Sequence, residues 1–164
     1  MPTTFVKGDL FEDSKGAPPP RAFAFAADCS GSMDRGIAVA FKKRFGPALA
    51  DAYRARAAGG KMQLGDVFMW KGNDGKGDVV VYALGTQQGD KKPKVSIVAR
   101  ALEGMVARAL GDGVTRIALP RIGAGKGGAD RLRVKRVLTE IGDKSAVTLV
   151  VFEQFIRAAA ETTA

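Results

Sequence analysis

Short apolar runs of strand length alternate along this chain with longer stretches in which apolar residues recur every three or four positions. That alternation predicts strands interleaved with helices. Thr3 to Val6 is a short β-like run that stops at Gly8-Asp9, and Glu12 to Arg21 is polar with three consecutive prolines, which is loop chemistry. Ala22 to Ala27 is apolar throughout and suits a strand covered on both faces. Gly36 to Phe45 and Pro47 to Ala58 read as helices, the second opening on a proline and closing toward Gly59-Gly60. Asp66 to Trp70 and Asp78 to Leu84 flank Gly72-Asn73-Asp74-Gly75-Lys76-Gly77 and so form a hairpin. Beyond Pro93, the residues Val98, Leu102, Met105, Val106, Ala109 and Leu110 share one helical face, and Gly111 and Gly113 end that helix. Thr115 to Leu119 is a strand, Pro120 to Asp130 a glycine-rich loop, Leu132 to Ile141 a helix and Ala146 to Phe152 the last strand. The expected fold is α/β, a three-layer α/β/α arrangement with a mixed, largely parallel central sheet.

Length leaves room for one well-filled core, so the 164 residues are expected to form a single domain, with its core from about 3 to 153 and a short tail over 154–164. Lys and Arg outnumber Asp and Glu 26 to 17, a formal charge of +9. This favours an anionic ligand or a nucleic-acid contact, and it equally serves a solvated surface. No eighteen-residue apolar run suggests a membrane span, and the first residues, MPTTFVKGDLF, lack the layout of a signal peptide, so a cytoplasmic protein is expected. Cys29 is the only cysteine. The absence of histidine changes the picture most: it removes Ser-His-Asp and Cys-His chemistry and nearly every zinc site. Neither a metal nor a cofactor is expected, and any chemistry falls to carboxylates, lysines, hydroxyls, Cys29 or backbone N–H groups.

In open α/β sheets ligands gather at the carboxyl ends of the strands, which points to the loops at Asp28 to Gly36, Gly85 to Pro93 and Arg121 to Asp130. In the last of these, Arg121-Ile122-Gly123-Ala124-Gly125-Lys126-Gly127-Gly128 holds four glycines in six residues, more than a plain surface turn needs. Its N–H groups can turn toward an anion, with a helix N-terminus behind them and Lys126 adding charge. The same glycines match a dinucleotide fingerprint, but only one helix and one strand follow, and Lys126 is followed by Gly127 where a Walker loop needs Ser or Thr. The Asp28 loop forms a natural second wall of the same cleft. Cys29 is expected to be buried and inert, with no histidine to activate it. At Gly8-Asp9-Leu10 a carboxylate closes the first strand, where it can cap a turn or accept from an exocyclic amine.

Taken together, Val6-Lys7-Gly8-Asp9-Leu10-Phe11, Asp28-Cys29-Ser30-Gly31 with Met33 and Gly36 to Gly46, and Leu119 to Gly128 resemble the macro domain family. The resemblance is to the branch holding the terminal ADP-ribose protein glycohydrolase and the bacterial DNA ADP-ribosyl glycohydrolase antitoxins, and it spans Phe5 to about Phe152. It implies that Asp9 receives the adenine amine and that the Leu10 backbone reads the ring, with Phe152 stacking on it. It further implies that Cys29, Ser30, Gly31, Ser32, Met33, Arg35, Gly36, Ile37 and Ala38 line the phosphates and distal ribose. Arg121, Ile122, Gly123, Ala124, Gly125, Lys126, Gly127 and Gly128 would wrap the pyrophosphate.

In that branch the catalytic pair is a lysine after the hairpin's second strand and an aspartate after the phosphate loop. Asp130 matches the aspartate. Alignment on Tyr82 and Pro93 places Thr86 or Gln87 at the lysine position, while Asp28 stands where many relatives have asparagine and Asp34 where glycine is common. The expected activity is hydrolysis of an ADP-ribosyl bond on a modified protein or nucleic acid by direct water attack, with Asp130 as general base and Thr86, Asp28 or Asp34 assisting. The alternatives are a reader that binds ADP-ribose without turnover and a phosphatase acting on ADP-ribose 1″-phosphate.

Overall fold

The computed structural model of the chain describes residues 3–89, 92–123 and 130–155. Strand β1 (Thr4–Gly8) leads through a 3-10 turn (Leu10–Glu12) to β2 (Arg21–Asp28). Helices α1 (Ile37–Phe45) and α2 (Pro47–Ala57) follow, then the hairpin β3 (Val67–Asn73) and β4 (Asp78–Gln87). After it come α3 (Val95–Gly111), β5 (Arg116–Pro120), α4 (Arg131–Lys144) and β6 (Thr148–Phe155). The six strands form one sheet in the order β1-β6-β5-β2-β4-β3, parallel everywhere except at the β3–β4 hairpin. The expected strands and helices are all present, shifted at their ends: β4 runs to Gln87 and α4 spans both Arg131 and Lys144.

Strand alternation divides the core in two. On one face of the sheet, Phe23, Phe25, Val81 and Ala83 meet Phe41, Phe45, Leu49 and Tyr53 of α1 and α2, together with Leu10 and Phe11. Phe41 sits 4.6 Å from Phe25 in a tilted pair and 5.0 Å from Phe11 in an edge-on pair, between ring centroids, and so fixes α1 to the sheet. On the other face, Ala24, Tyr82 and Leu84 meet Val98, Leu102, Met105, Val134 and Leu138 of α3 and α4. The unbroken apolar run from Ala22 to Ala27 within β2 fits this position, since both of its faces are covered.

The hairpin is tied to the lower end of the sheet by a buried ion pair. Arg21 Nη1 donates to Asp74 Oδ2 at 2.9 Å, with the two side chains 6% and 1% exposed. Arg21 Nη2 also donates to the Phe11 carbonyl at 2.7 Å, so the guanidinium is satisfied on several sides. Among the described residues no helix is long and apolar enough to cross a membrane.

Candidate functional site

The chain leaves β2 toward the α1–α2 face and leaves β5 toward the α3–α4 face. These two strands are neighbours in the sheet, so their outgoing connections diverge and open a crevice at their carboxyl ends. Two more strand ends border it. β4 ends beside β2, with Asp28 in register with Gln87, and β6 ends between β5 and β1, with Phe152 in register with both Pro120 and Val6.

The Asp28 loop is shaped by its own side chains. Asp28 Oδ1 accepts from the Ser30 N–H at 2.9 Å, Ser30 Oγ from the Ser32 N–H at 3.3 Å, and Ser32 Oγ from the Asp34 N–H at 3.4 Å. Each short polar side chain turns the backbone two residues on. From α2, Tyr53 donates its hydroxyl to the Asp28 carbonyl at 2.6 Å and anchors the loop from beneath. Gly31 adopts φ +94, and a Cβ there would stand 3.1 Å from the Cβ of Ala57, so glycine is needed for both reasons.

Of the residues expected along this wall, Ser30, Ser32, Arg35 and Gly36 are exposed, while the side chains of Cys29, Met33 and Ala38 point into the core. Ile37 is half-buried against that core. Burial, then the nearby Asp28 and Asp66 carboxylates, push the Cys29 thiol up to about 11. It is a packed thiol, as expected, and stays protonated at neutral pH. Asp34 is held below the usual carboxylate range by its hydrogen bond to Lys42 at 2.9 Å and by that lysine's charge. Asp28 and Asp34 therefore each have an oxygen engaged in shaping or bracing the loop.

At the end of β4, Thr86 is 1% exposed and its Oγ1 is a buried polar atom with no hydrogen-bond partner among the described residues. Leaving a hydroxyl in that condition costs about 1–3 kcal/mol, and an arriving ligand or water offsets it. Gln87 instead donates its Nε2 to the Gly89 carbonyl at 3.0 Å. Of the two residues at the lysine position, Thr86 is thus the buried one, and Gln87 is only half-buried.

Gly123 opens the glycine-rich segment with φ +72, a left-handed conformation. Ile122 before it is a core residue, and Arg121 lines a cleft beside α4. Ala124, Gly125, Lys126, Gly127 and Gly128 lie outside the described residues. Asp130 is the N-cap of α4: its Oδ1 accepts from the N–H groups of Leu132 at 2.9 Å and Arg133 at 3.2 Å. One carboxylate oxygen is committed to the helix, and Oδ2 makes no hydrogen bond among the described residues.

At the β1 end, Asp9 caps the 3-10 turn, its Oδ1 accepting from Phe11 N–H at 3.0 Å. The Leu10 side chain is fully buried, which leaves only its backbone for ligand contact. Phe152 belongs to the core at 8% exposure, and its ring edge lies 3.7 Å from where a Cβ on Gly8 would stand. Packing accounts for that phenylalanine. Sequence reasoning passed over the segment from Ala58 to Leu64, which with Ser30 and Gln88 lines a cleft of about 430 Å³ outside the Asp28 loop. Its signal was the run Ala58-Gly59-Gly60, read only as a helix end. Among the described residues, no group of three acidic, cysteine or histidine side chains is placed to hold a metal ion.

An open sheet covered on both faces, with connections that diverge from β2 and β5 and a buried hydroxyl on the neighbouring β4, defines an α/β/α domain built around a ligand crevice. The chain belongs to the macro domain family, whose Macro domain family model matches residues 24–138. It is 31% identical over 152 residues to the ADP-ribose glycohydrolase OARD1 of Homo sapiens, covering 91% of this chain and 90% of that protein. To the DNA ADP-ribosyl glycohydrolase of Thermus aquaticus it is 29% identical over 137 residues, which is 83% of this chain and 36% of that protein. The solved macrodomain of Thermus aquaticus DarG superposes with a TM-score of 0.77 at 27% identity, covering 92% of this chain and 97% of the other.

Proposed function

We propose that this macro domain binds ADP-ribose across the β2–β5 crevice and hydrolyses the bond joining it to a modified macromolecule. The observation that carries the hydrolytic reading is Asp130: a carboxylate fixed by two N–H groups at the exit of the glycine-rich segment, with Oδ2 uncommitted among the described residues. The naming of its relatives as ADP-ribose and DNA ADP-ribosyl glycohydrolases supports the same reaction. Adenine then lies at the β1 end near Asp9, and the phosphates lie at the N-terminus of α1, beside the Asp28 loop.

The distal ribose reaches toward Thr86. Asp130 accepts a proton from water as the water oxygen bonds to C1″. The C1″ bond to the macromolecule breaks, its electron pair leaves with the linking atom, and solvent protonates that atom. Charge on the carboxylate stabilises the oxocarbenium-like state, and the Thr86 hydroxyl supplies a hydrogen bond to the ribose or to the water. A hydroxyl cannot form an imine with an opened sugar, so no covalent lysine adduct precedes hydrolysis at this position.

The presence of Thr86 in place of a lysine also favours a second reading, in which the crevice binds ADP-ribose and performs no chemistry. Incubation with an ADP-ribosylated oligonucleotide and an ADP-ribosylated glutamate peptide separates the two. Free ADP-ribose released from either substrate is the expected result; saturable binding with no release supports the reader and overturns the hydrolase.

A further inference from the structure

The first nine residues of α4, from Arg131 to Thr139, hold four cations and no acid, and the acids Glu140 and Asp143 come only in its second half. This order is the reverse of what a helix prefers, because the positive end of its dipole lies at the N-terminus. Helix stability therefore does not explain the placement. Lys135 is occupied, 3.5 Å from Glu153 and over the ring of Phe5 at 4.5 Å. Arg131, Arg133 and Arg136 are exposed and make no ion pair among the described residues.

Two further features share this surface. Leu132 is 77% exposed, one of two large apolar side chains left in water among the described residues, and Arg136 stands one turn along the same flank. Beneath the helix runs a cleft of about 330 Å³, walled by Phe5, Leu138 and Val151 and rimmed by Arg121 and Arg131. Arg121 links it to the strand end from which the glycine-rich segment departs.

We infer that the first two turns of α4, with Arg121, form a docking surface for single-stranded nucleic acid. Phosphates pair with Arg121, Arg131, Arg133 and Arg136, and a base rests on Leu132 beside the cleft. Charge complementarity selects a polyanion, and an apolar side chain set among the cations selects one that brings flat apolar rings with its phosphates. An acidic peptide satisfies the first demand and not the second. As an assignment of the modified macromolecule, the inference rests on the hydrolase reading; as a surface, it borders the ADP-ribose crevice only at Arg121.

The test is fluorescence anisotropy of a short fluorescein-labelled oligothymidylate against the full chain and against the combined variant Arg131→Gln, Arg133→Gln, Arg136→Gln. With four phosphate contacts the slope of log K against log salt is about −3 for the parent, a loss of about 50-fold in affinity between 50 and 200 mM salt, and about −1 for the variant. Leu132→Ser weakens binding severalfold without changing the slope. The variant binds ADP-ribose as the parent does, and its thermal midpoint is unchanged or higher, since charges opposing the helix dipole are gone. Equal oligonucleotide affinity in parent and variant, or equally tight binding of a labelled polyglutamate, overturns the inference. Loss of ADP-ribose binding by the parent strikes the proposed function instead.

Discussion

Asp130 has two duties whose energies can be separated by choosing the substitution. As N-cap it satisfies two N–H groups of α4 through Oδ1, and as general base it acts through Oδ2. Asp130→Ala removes both. Losing the cap costs about 1 kcal/mol, which for a chain of this size lowers the thermal midpoint by about 2–4 °C. Asp130→Asn keeps an oxygen in the place of Oδ1, and asparagine caps a helix as well as aspartate, so its midpoint stays within about 1 °C of the parent. Chemistry does not discriminate in the same way. Both variants lose the proton acceptor, and release of ADP-ribose falls by about 100- to 10,000-fold in each. The assay is single-turnover release from an ADP-ribosylated oligonucleotide, beside thermal denaturation of the same preparations. An asparagine variant that turns over at the parental rate refutes the general-base role. One that is as unstable as the alanine variant refutes the capping geometry.

Three other outcomes follow from the same structure. Thr86→Val keeps the shape of the side chain and removes a hydroxyl that has no partner among the described residues, so the protein gains about 1 kcal/mol by chemical denaturation while turnover falls at least about tenfold, opposite signs that a merely structural threonine would not give. Gly85→Ala places a Cβ 2.8 Å from the Gln63 carbonyl oxygen and 3.0 Å from Cys29 Sγ, and the backbone oxygen cannot swing aside. A loss of about 1–3 kcal/mol is expected in a urea titration. The folded thiol of Cys29 holds its proton to about pH 11 against an unperturbed 9.0. Its contribution to stability is therefore complete below pH 9 and lost as pH rises from 9 toward 11, so Cys29→Ala shows a shallower decline in that window than the parent.

Much of the fold was readable from local pattern because each element carries its own period. The apolar run of β2, the three- and four-residue spacing of α3 and the turn formers between β3 and β4 each identify one element without reference to any other. Strand order is different. That β2 lies between β5 and β4 depends on which face each helix covers, and the crevice exists only because of that order. The same distinction runs through the site. Asp9, the Asp28 loop and Asp130 were legible because their residues sit together in the chain, but which of them point inward was not. Met33 and Leu10 turn into the core where Ser30 and Ser32 do not, a difference decided by the packing of α1 and α2. The burial of the Thr86 hydroxyl was likewise invisible, because burial is a property of a side chain's surroundings. The capping role of Asp130 is the reverse case: an aspartate before a helical run announces a cap, and the resemblance to a catalytic position drew attention away from it.

The central claim is that this crevice is an ADP-ribose site with Asp9 at its adenine end. Calorimetric titration of ADP-ribose into the parent and into Asp9→Ala tests it most directly. The account predicts one saturable site in the parent and an affinity lower by about tenfold or more in the variant, a loss that added salt does not reproduce because a directional hydrogen bond is not screened. No heat of binding in the parent, or equal affinity in both proteins, would contradict it.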